Sequence, residues 1–202
     1  MLNKRGFFPS VFCINDSSLY VFGGQNELDD LNSCERFNVQ ENTWRNISPM
    51  HKKKNGASLV VLDRVIFIFG GNNIKDGSLN TIERYAIEFD KWSHLKIKLK
   101  EPIHDTLAFN LGGGRVMIFG GIKNNTSNTK FEIYDLTCEM LGTEDTFMEM
   151  GKLYIPPVYD PSSSILHTFL GYGDLEPKHE KINIQNLLCT CRTVAFTDSA
   201  IC

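Results

Sequence analysis

The sequence of 202 residues predicts an all-β fold assembled from about four copies of a unit of roughly fifty residues. The first observation behind this prediction is an apolar run that ends in paired glycines and recurs with its first glycine at Gly23, Gly70 and Gly120. A weaker fourth copy ends at Gly171. The second observation is a glutamate two residues before an aromatic or aliphatic side chain, repeated at intervals of 48, 49 and 48, at Glu35, Glu83, Glu132 and Glu180. Two landmarks with one period indicate a true repeat.

Each copy alternates short apolar runs with turn residues, which is the pattern of an antiparallel sheet. The second copy predicts four strands, at Ala57 to Leu62, Val65 to Phe69, Thr81 to Ile87 and Lys91 to Leu95. The first two strands of every copy are separated by a predicted tight turn, at Asn15 to Ser18, Asp63 to Arg64, Gly112 to Arg115 and Pro161 to Ser164. The four copies are therefore expected to form four small sheets.

The strand before each glycine pair is apolar on both of its alternating faces, as in Ile66-Phe-Ile-Phe69. Such a strand is expected to lie between two neighbouring sheets, because a strand with one solvent-exposed face would alternate apolar and polar residues. The paired glycines are expected to form a turn and a close backbone contact. A phosphate-binding loop would require a helix directly after them.

A third landmark appears in the first two copies, where Trp44 follows Phe37 by seven residues and Trp92 follows Tyr85 by seven. The unit of apolar run, Gly-Gly, Glu-x-aromatic and Trp resembles the kelch repeat, which forms one blade of a β-propeller. The resemblance implies kelch repeats over residues 1–186, with blades of four antiparallel strands at about 4–50, 51–100, 101–150 and 151–186. Residues 187–202 are expected to be a tail or a closing strand.

Kelch propellers most often have more than four blades, so the resemblance implies an incomplete ring. Additional blades would come from sequence upstream or from oligomerisation, because an open arc leaves a sheet face bare at each end. A small closed ring of four blades is the other arrangement that the count allows.

The resemblance also implies a protein-protein interaction module, a scaffold or adaptor that binds a partner protein or peptide through the loops between its strands. In kelch adaptors a basic residue sixteen positions before the first glycine often faces the bound peptide, and Lys54 and His104 occupy that position. They are the candidate binding residues. The alternative for the run Lys52 to Lys54 is a solvated cluster of charges without a binding role.

Composition disfavours several other classes of partner. A net charge of −3 and a pI near 6.0 provide no general attraction for nucleic acid or an anionic membrane. The longest apolar stretch, residues 57–69, is interrupted by Asp63 and Arg64 and is too short for a spanning helix. Six scattered cysteines and an N-terminus without a signal peptide predict reduced thiols in the cytoplasm.

Catalysis is the alternative function, since kelch propellers include enzymes of the galactose oxidase and sialate epimerase types. The chain has no Gly-x-Ser-x-Gly, Walker or His-Glu-x-x-His motif. Its five histidines never fall at the short spacings of metal-binding pairs, although ligands from different blades could converge in space. We therefore expect no enzyme activity, no catalytic residues, no cofactor and no metal.

Overall fold

A computed structural model of the chain describes residues 1–6, 10–14, 17–137, 140–142, 158–170 and 178–183. Its strands form small antiparallel sheets that follow the repeat, which confirms the predicted all-β propeller architecture, and the ring is not closed. We call the sheets blades 1 to 4 in chain order. In the part of the chain that the structure describes, no helix is long and apolar enough to cross a membrane.

Blades 1 and 2 each contain one four-stranded sheet in which every strand pairs with its neighbour, and blade 2 also carries a separate two-stranded hairpin. Blade 1 contains β1 (Ser10–Ile14), β2 (Ser18–Phe22), β3 (Cys34–Asn38) and β4 (Thr43–Ile47). Blade 2 contains β5 (Ser58–Leu62), β6 (Val65–Phe69), the short strands β7 (Asn72–Asn73) and β8 (Gly77–Ser78), β9 (Ile82–Ala86), a 3₁₀ turn (Ile87–Phe89) and β10 (Lys91–His94). The four long strands of blade 2 lie where the sequence predicts them, within one residue at each end.

Blades 3 and 4 continue the pattern in the described residues. Blade 3 contains β11 (Leu107–Gly112), β12 (Arg115–Phe119), the short strands β13 (Ile122–Lys123) and β14 (Thr126–Ser127), β15 (Phe131–Asp135) and β16 (Met140–Gly142). Blade 4 contains β17 (Val158–Asp160), β18 (Ile165–Leu170) and β19 (Lys178–Asn183). The closing strand or tail expected at residues 187–202 lies outside the described residues.

The strand β6 contributes to two separate cores, one on each face of blade 2. Its residues Ile66 and Ile68 pack with the side chains of blade 1, including Tyr20 and Phe22. The alternate residues, Phe67 and Phe69, pack toward blade 3. The apolar composition of both faces therefore reflects burial between two sheets, as the sequence predicts.

The tryptophan landmark marks a pair of aromatic rings on neighbouring strands. Tyr85 on β9 lies opposite Trp92 on β10, with ring centroids 5.0 Å apart. Phe37 and Trp44 form the same pair in blade 1, also with centroids 5.0 Å apart. Trp92 also meets Phe22 of blade 1 edge to face at 5.7 Å, so the ring helps to join blades 1 and 2.

The glycine pairs lie at the seams between blades, where the chain entering one blade crosses the end of the preceding one. The amide of Gly24 donates to the carbonyl of Lys54 at 2.9 Å, and the amide of Gly71 donates to the carbonyl of Ile103 at 3.0 Å. Gly70 has a φ of +59°, and a Cβ added there would overlap the Ile103 carbonyl oxygen. The glycines thus permit a positive φ and close contact between main chains, as expected.

Cys34 is buried in the core between blades 1 and 2 and is expected to be chemically inert. It is 1% exposed, and burial raises the pKa of its thiol to about 12. Because the thiolate is the nucleophile, iodoacetamide at neutral pH should leave Cys34 unmodified in the folded chain and alkylate it in urea. Peptide mass spectrometry checks this result. Alkylation of Cys34 without urea, at the rate seen in urea, would contradict the burial.

Candidate functional site

The candidate site is a groove at one end of blades 1 and 2. At this end β2 is joined to β3 in blade 1, and β6 is joined to β9 through the β7–β8 hairpin in blade 2. We call this end of the sheets the loop face. The segment that connects blade 1 to blade 2 crosses the same end, so three connections meet there. The groove has a volume of about 300 Å³ and is lined by Asp29, Asp30, Lys52, Lys53, Asn73, Lys75 and Asp76.

Asp30 holds the three connections together from below. Its carboxylate is 1% exposed and accepts hydrogen bonds at 2.6 Å from the Asn55 side chain and at 2.6 Å from the Ile74 amide. Asn55 belongs to the segment entering blade 2, and Ile74 belongs to the β7–β8 hairpin. A buried carboxylate bonded to both neighbours fixes the floor of the groove, because its bond to the buried Asn55 amide satisfies two groups removed from water and its bond to Ile74 anchors the hairpin.

The rim of the groove carries ion pairs that solvent reaches. Lys52 pairs with Asp76 at 2.9 Å, and Lys53 pairs with Asp29. Hydrogen bonds from these lysines lower the pKa values of Asp76 and Asp29. Exposed pairs of this kind contribute little to stability, so a partner can replace one member at small cost.

Two exposed aliphatic side chains stand on the loops that flank the groove. Leu28, in the β2–β3 loop, is 90% exposed, and Ile74, in the β7–β8 hairpin, is 71% exposed. Single exposed apolar residues are common on protein surfaces. Here Leu28 precedes Asp29, and Ile74 lies between Asn73 and Lys75, so each stands next to residues that line the groove and adds apolar surface to the loop face.

Lys54, one of the two predicted binding residues, lies in the interior. Its side chain is 1% exposed, and its ammonium lies 2.7 Å from the Glu83 carboxylate. Burial lowers the pKa of Lys54, against the attraction of Glu83. Burial would raise the pKa of Glu83, but Lys54 and His51 lower it by a larger amount. The pair ties the segment entering blade 2 to strand β9.

His104, the other predicted binding residue, is half-buried at the seam between blades 2 and 3. Its Nδ1 lies 2.9 Å from the Ser78 hydroxyl. Its main chain forms a bridge with Ile122, as the main chain of Asn55 does with Asn72. Direct contact of either Lys54 or His104 with a partner stays a prediction.

The structure does not place Lys54 and His104 at equivalent positions. The Lys54 carbonyl accepts from Gly24 as the Ile103 carbonyl accepts from Gly71, so the counterpart of Lys54 is Ile103. The counterpart of His104 is Asn55. A register shift in β11 between Asn110 and Gly112 adds one residue between His104 and the glycines of blade 3. Because of this residue, His104 lies as far before Gly120 as Lys54 lies before Gly70.

Sequence reasoning did not identify Asp30 and Asn55 as parts of the site. Asp30 immediately precedes the pair Leu31-Asn32, and Ser78 precedes the matching pair Leu79-Asn80 in the second copy. Ser78 contacts His104 just as Asp30 contacts Asn55. Alignment of the copies on Leu-Asn, in addition to the glycines, would have revealed these polar pairs.

One group of side chains in blade 2 has the composition of a metal site. His51, Glu83 and His94 each offer one ligand atom, and these atoms lie within 4.8 Å of one another. They are far apart in the sequence and meet only because strand β10 and the segment entering blade 2 lie beside β9.

Comparison with known proteins identifies the repeat. A family model described as "KLHDC2/KLHL20/DRC7 Kelch-repeats domain" matches residues 5–144. Alpha-scruin of Limulus polyphemus is 29% identical over 114 residues, which cover 53% of this chain and 12% of alpha-scruin. Human Kelch-like protein 23 is 30% identical over 78 residues, covering 38% of this chain and 13% of that protein.

A third relative is Kelch-like protein 25 of Xenopus tropicalis, which is 26% identical over 133 residues, covering 61% of this chain and 22% of the relative. The chain thus matches less than a quarter of the length of each of these three relatives. The family model covers more than half of the chain, and its match includes the three glycine-ended strands and the seams described above. The chain belongs to the kelch-repeat family.

Proposed function

We propose that the chain is a protein-interaction module that binds a partner protein or peptide at the groove between blades 1 and 2. The observation that carries this proposal is the convergence of three connections on the buried Asp30 carboxylate. They form one polar groove flanked by the exposed side chains of Leu28 and Ile74. A rigid floor beneath a charged and partly apolar rim suits recognition of a partner, because little order is lost on binding.

The chemistry of the rim favours a partner segment that combines an apolar side chain with a carboxylate. Leu28 and Ile74 supply the apolar contacts, and the exposed lysines Lys53 and Lys75 supply positive charge. A partner carboxylate would take the place of Asp29 beside Lys53. Because the existing pair is exposed to solvent, this exchange adds specificity more than affinity.

In this proposal Lys54 and His104 support the loop face from the seams. Lys54 fixes the segment that carries Lys52 and Lys53, and His104 contacts Ser78 at the end of the hairpin that carries Ile74. We propose that the chain acts in the cytoplasm, without catalysis and without a cofactor. Further blades, from additional sequence or from another copy, would complete the ring.

Peptide selection on the immobilised full chain tests the proposal. A phage-displayed random library should yield peptides with an apolar residue close to an acidic one. Replacing Leu28 or Ile74 by alanine should weaken binding of a selected peptide about tenfold, a loss typical of an apolar residue that anchors an interface. Fluorescence anisotropy measures the affinity.

Phe89 provides a matched control, because it is 74% exposed but lies in the β9–β10 connection at the opposite end of the blade. The Phe89→Ala variant should bind the selected peptide within about twofold of the parent chain, since a surface residue outside an interface contributes little to binding. Equal losses in Phe89→Ala and Ile74→Ala, or no loss in either, would reject the groove as the binding site.

A further inference from the structure

The cluster of His51, Glu83 and His94 shares no residue with the lining of the groove. Glu83 on β9 pairs directly with His94 on β10. His51, from the segment entering blade 2, donates its main-chain amide to the Glu83 carboxylate at 3.1 Å. Strand register and the blade connection therefore bring together residues that are separated by up to 43 positions in the chain.

The distances within the cluster suit ligands of a single metal ion. His51 Nδ1 lies 3.0 Å from Glu83 Oε2, and the rings of His51 and His94 lie 4.2 Å apart between centroids. Zinc bonds to histidine nitrogen and carboxylate oxygen are about 2.1 Å long, which places neighbouring ligand atoms about 3 to 3.5 Å apart. A metal ion can thus replace the proton in the hydrogen bond between His51 Nδ1 and Glu83 Oε2, and a ring nitrogen of the exposed His94 lies within 4.8 Å of both ligand atoms.

The donor set and its exposure favour a transition metal over calcium or magnesium. Two imidazoles and one carboxylate match zinc, copper, nickel and cobalt, whereas calcium and magnesium prefer oxygen ligands alone. Both histidines are exposed, which gives an ion access and leaves positions for water. Lys54 holds Glu83 Oε1 at 2.7 Å, so Oε2 stays directed toward His51, although the ammonium reduces the attraction for a cation.

Blade 1 shows that the fold does not require histidines at these positions. Its equivalent glutamate, Glu35, accepts from the Leu2 amide at 2.6 Å and pairs with Arg5 at 2.8 Å. The strand position opposite Glu35 is Asn46, where blade 2 has His94. A buried glutamate bonded to a cation and to the entering main chain is therefore common to both blades, while the two histidines are particular to blade 2.

We propose that His51, Glu83 and His94 bind one divalent metal ion that accepts imidazole and carboxylate ligands, such as Zn²⁺. The ion links the segment between blades 1 and 2 to the outer strand of blade 2. This proposal is independent of the proposed partner groove, which involves none of the three residues.

Titration of the chelator-treated full chain with Zn²⁺, followed by NMR of the histidine side chains, tests the site. The resonances of His51 and His94 should shift together and saturate at one equivalent of zinc, while those of His104 stay constant. Loss of the outer-shell partner of a metal ligand typically lowers affinity about 10- to 100-fold, and loss of a ligand itself is expected to cost at least as much. We therefore expect His51→Ala, His94→Ala and Glu83→Gln each to weaken zinc binding at least tenfold.

His104→Ala is the matched control and should retain the parent affinity within twofold, with circular dichroism used to verify that each variant is folded. His51→Ala and His94→Ala alter exposed side chains, so both variants should fold even if Glu83→Gln, a change at a buried residue, does not. Unchanged zinc affinity in these two variants would overturn the proposal. Binding through His167 and His179 instead, whose ring nitrogens lie 2.8 Å apart in blade 4, would also overturn it.

Discussion

Replacing Gly70 by alanine is expected to destabilise the chain by about 3 kcal/mol, through the positive φ together with steric overlap. Gly70 lies at the seam between blades 2 and 3 with a φ of +59°, and a Cβ there would overlap the Ile103 carbonyl oxygen. It would also lie 3.2 Å from the Leu99 side chain. Relief of these contacts requires the main chains of two blades to separate, which breaks the amide-to-carbonyl bonds of the seam. Urea unfolding followed by tryptophan fluorescence measures the loss.

Gly77 separates the two contributions in this prediction. It also has a positive φ, of +70°, but a Cβ at Gly77 would meet no atom within 4 Å. Gly77→Ala therefore retains the conformational strain, about 1 kcal/mol, without the overlap. If Gly70→Ala and Gly77→Ala lower the free energy of unfolding by the same amount, the overlap with the Ile103 carbonyl oxygen is not the reason that position 70 requires glycine.

Replacing Lys54 by methionine is the second change with a large expected effect, about 3 kcal/mol or more in the free energy of unfolding. Methionine has a similar volume, so the variant removes the charge while leaving most of the packing. Glu83, 0% exposed in its side chain, would then lose the ammonium at 2.7 Å. An uncompensated buried carboxylate is costly because it has lost water without gaining an opposite charge. Urea unfolding measures this change as well.

The neighbouring residue supplies the control for Lys54. Lys53 forms its ion pair with Asp29 at the surface, where the two side chains are 51% and 47% exposed. Lys53→Met should leave the unfolding midpoint nearly unchanged. Adding Glu83→Gln to Lys54→Met should recover much of the lost stability, because the amide keeps an acceptor for the His51 main chain without a charge. A double variant no more stable than Lys54→Met would show that the orphaned charge is not the cause.

The strands were predictable because burial between two sheets leaves a strong signal in the sequence. In β6, every residue from Ile66 to Phe69 is buried, and the run is correspondingly apolar without alternation. The turn at Asp63 and Arg64 was predictable for a local reason, since two polar residues interrupt two apolar runs, and in the structure both adopt the positive φ of a compact two-residue hairpin. Local conformation and burial both act within a few residues, so a single sequence records them.

The environment of Lys54 was not predictable from spacing, because it depends on an irregularity in another blade. One extra residue at the register shift in β11 makes Lys54 and His104 equally distant from their glycines, although they occupy different places in the seam. Lysine is usually exposed, and its burial here depends on Glu83, 29 residues away on β9. The meeting of His51 with His94 was likewise invisible, since strand pairing and not chain proximity brings them together.

The seams also bear on how the repeat can diverge in evolution. The bonds from Gly24 to Lys54 and from Gly71 to Ile103 join main-chain atoms, so they form equally well with a lysine or an isoleucine as the acceptor residue. A duplicated unit can therefore accumulate substitutions in its exposed loops without losing these main-chain bonds to the next unit. The main-chain bonds of the seam constrain the glycines but not the exposed side chains of the loops, so each blade is free to acquire its own surface chemistry.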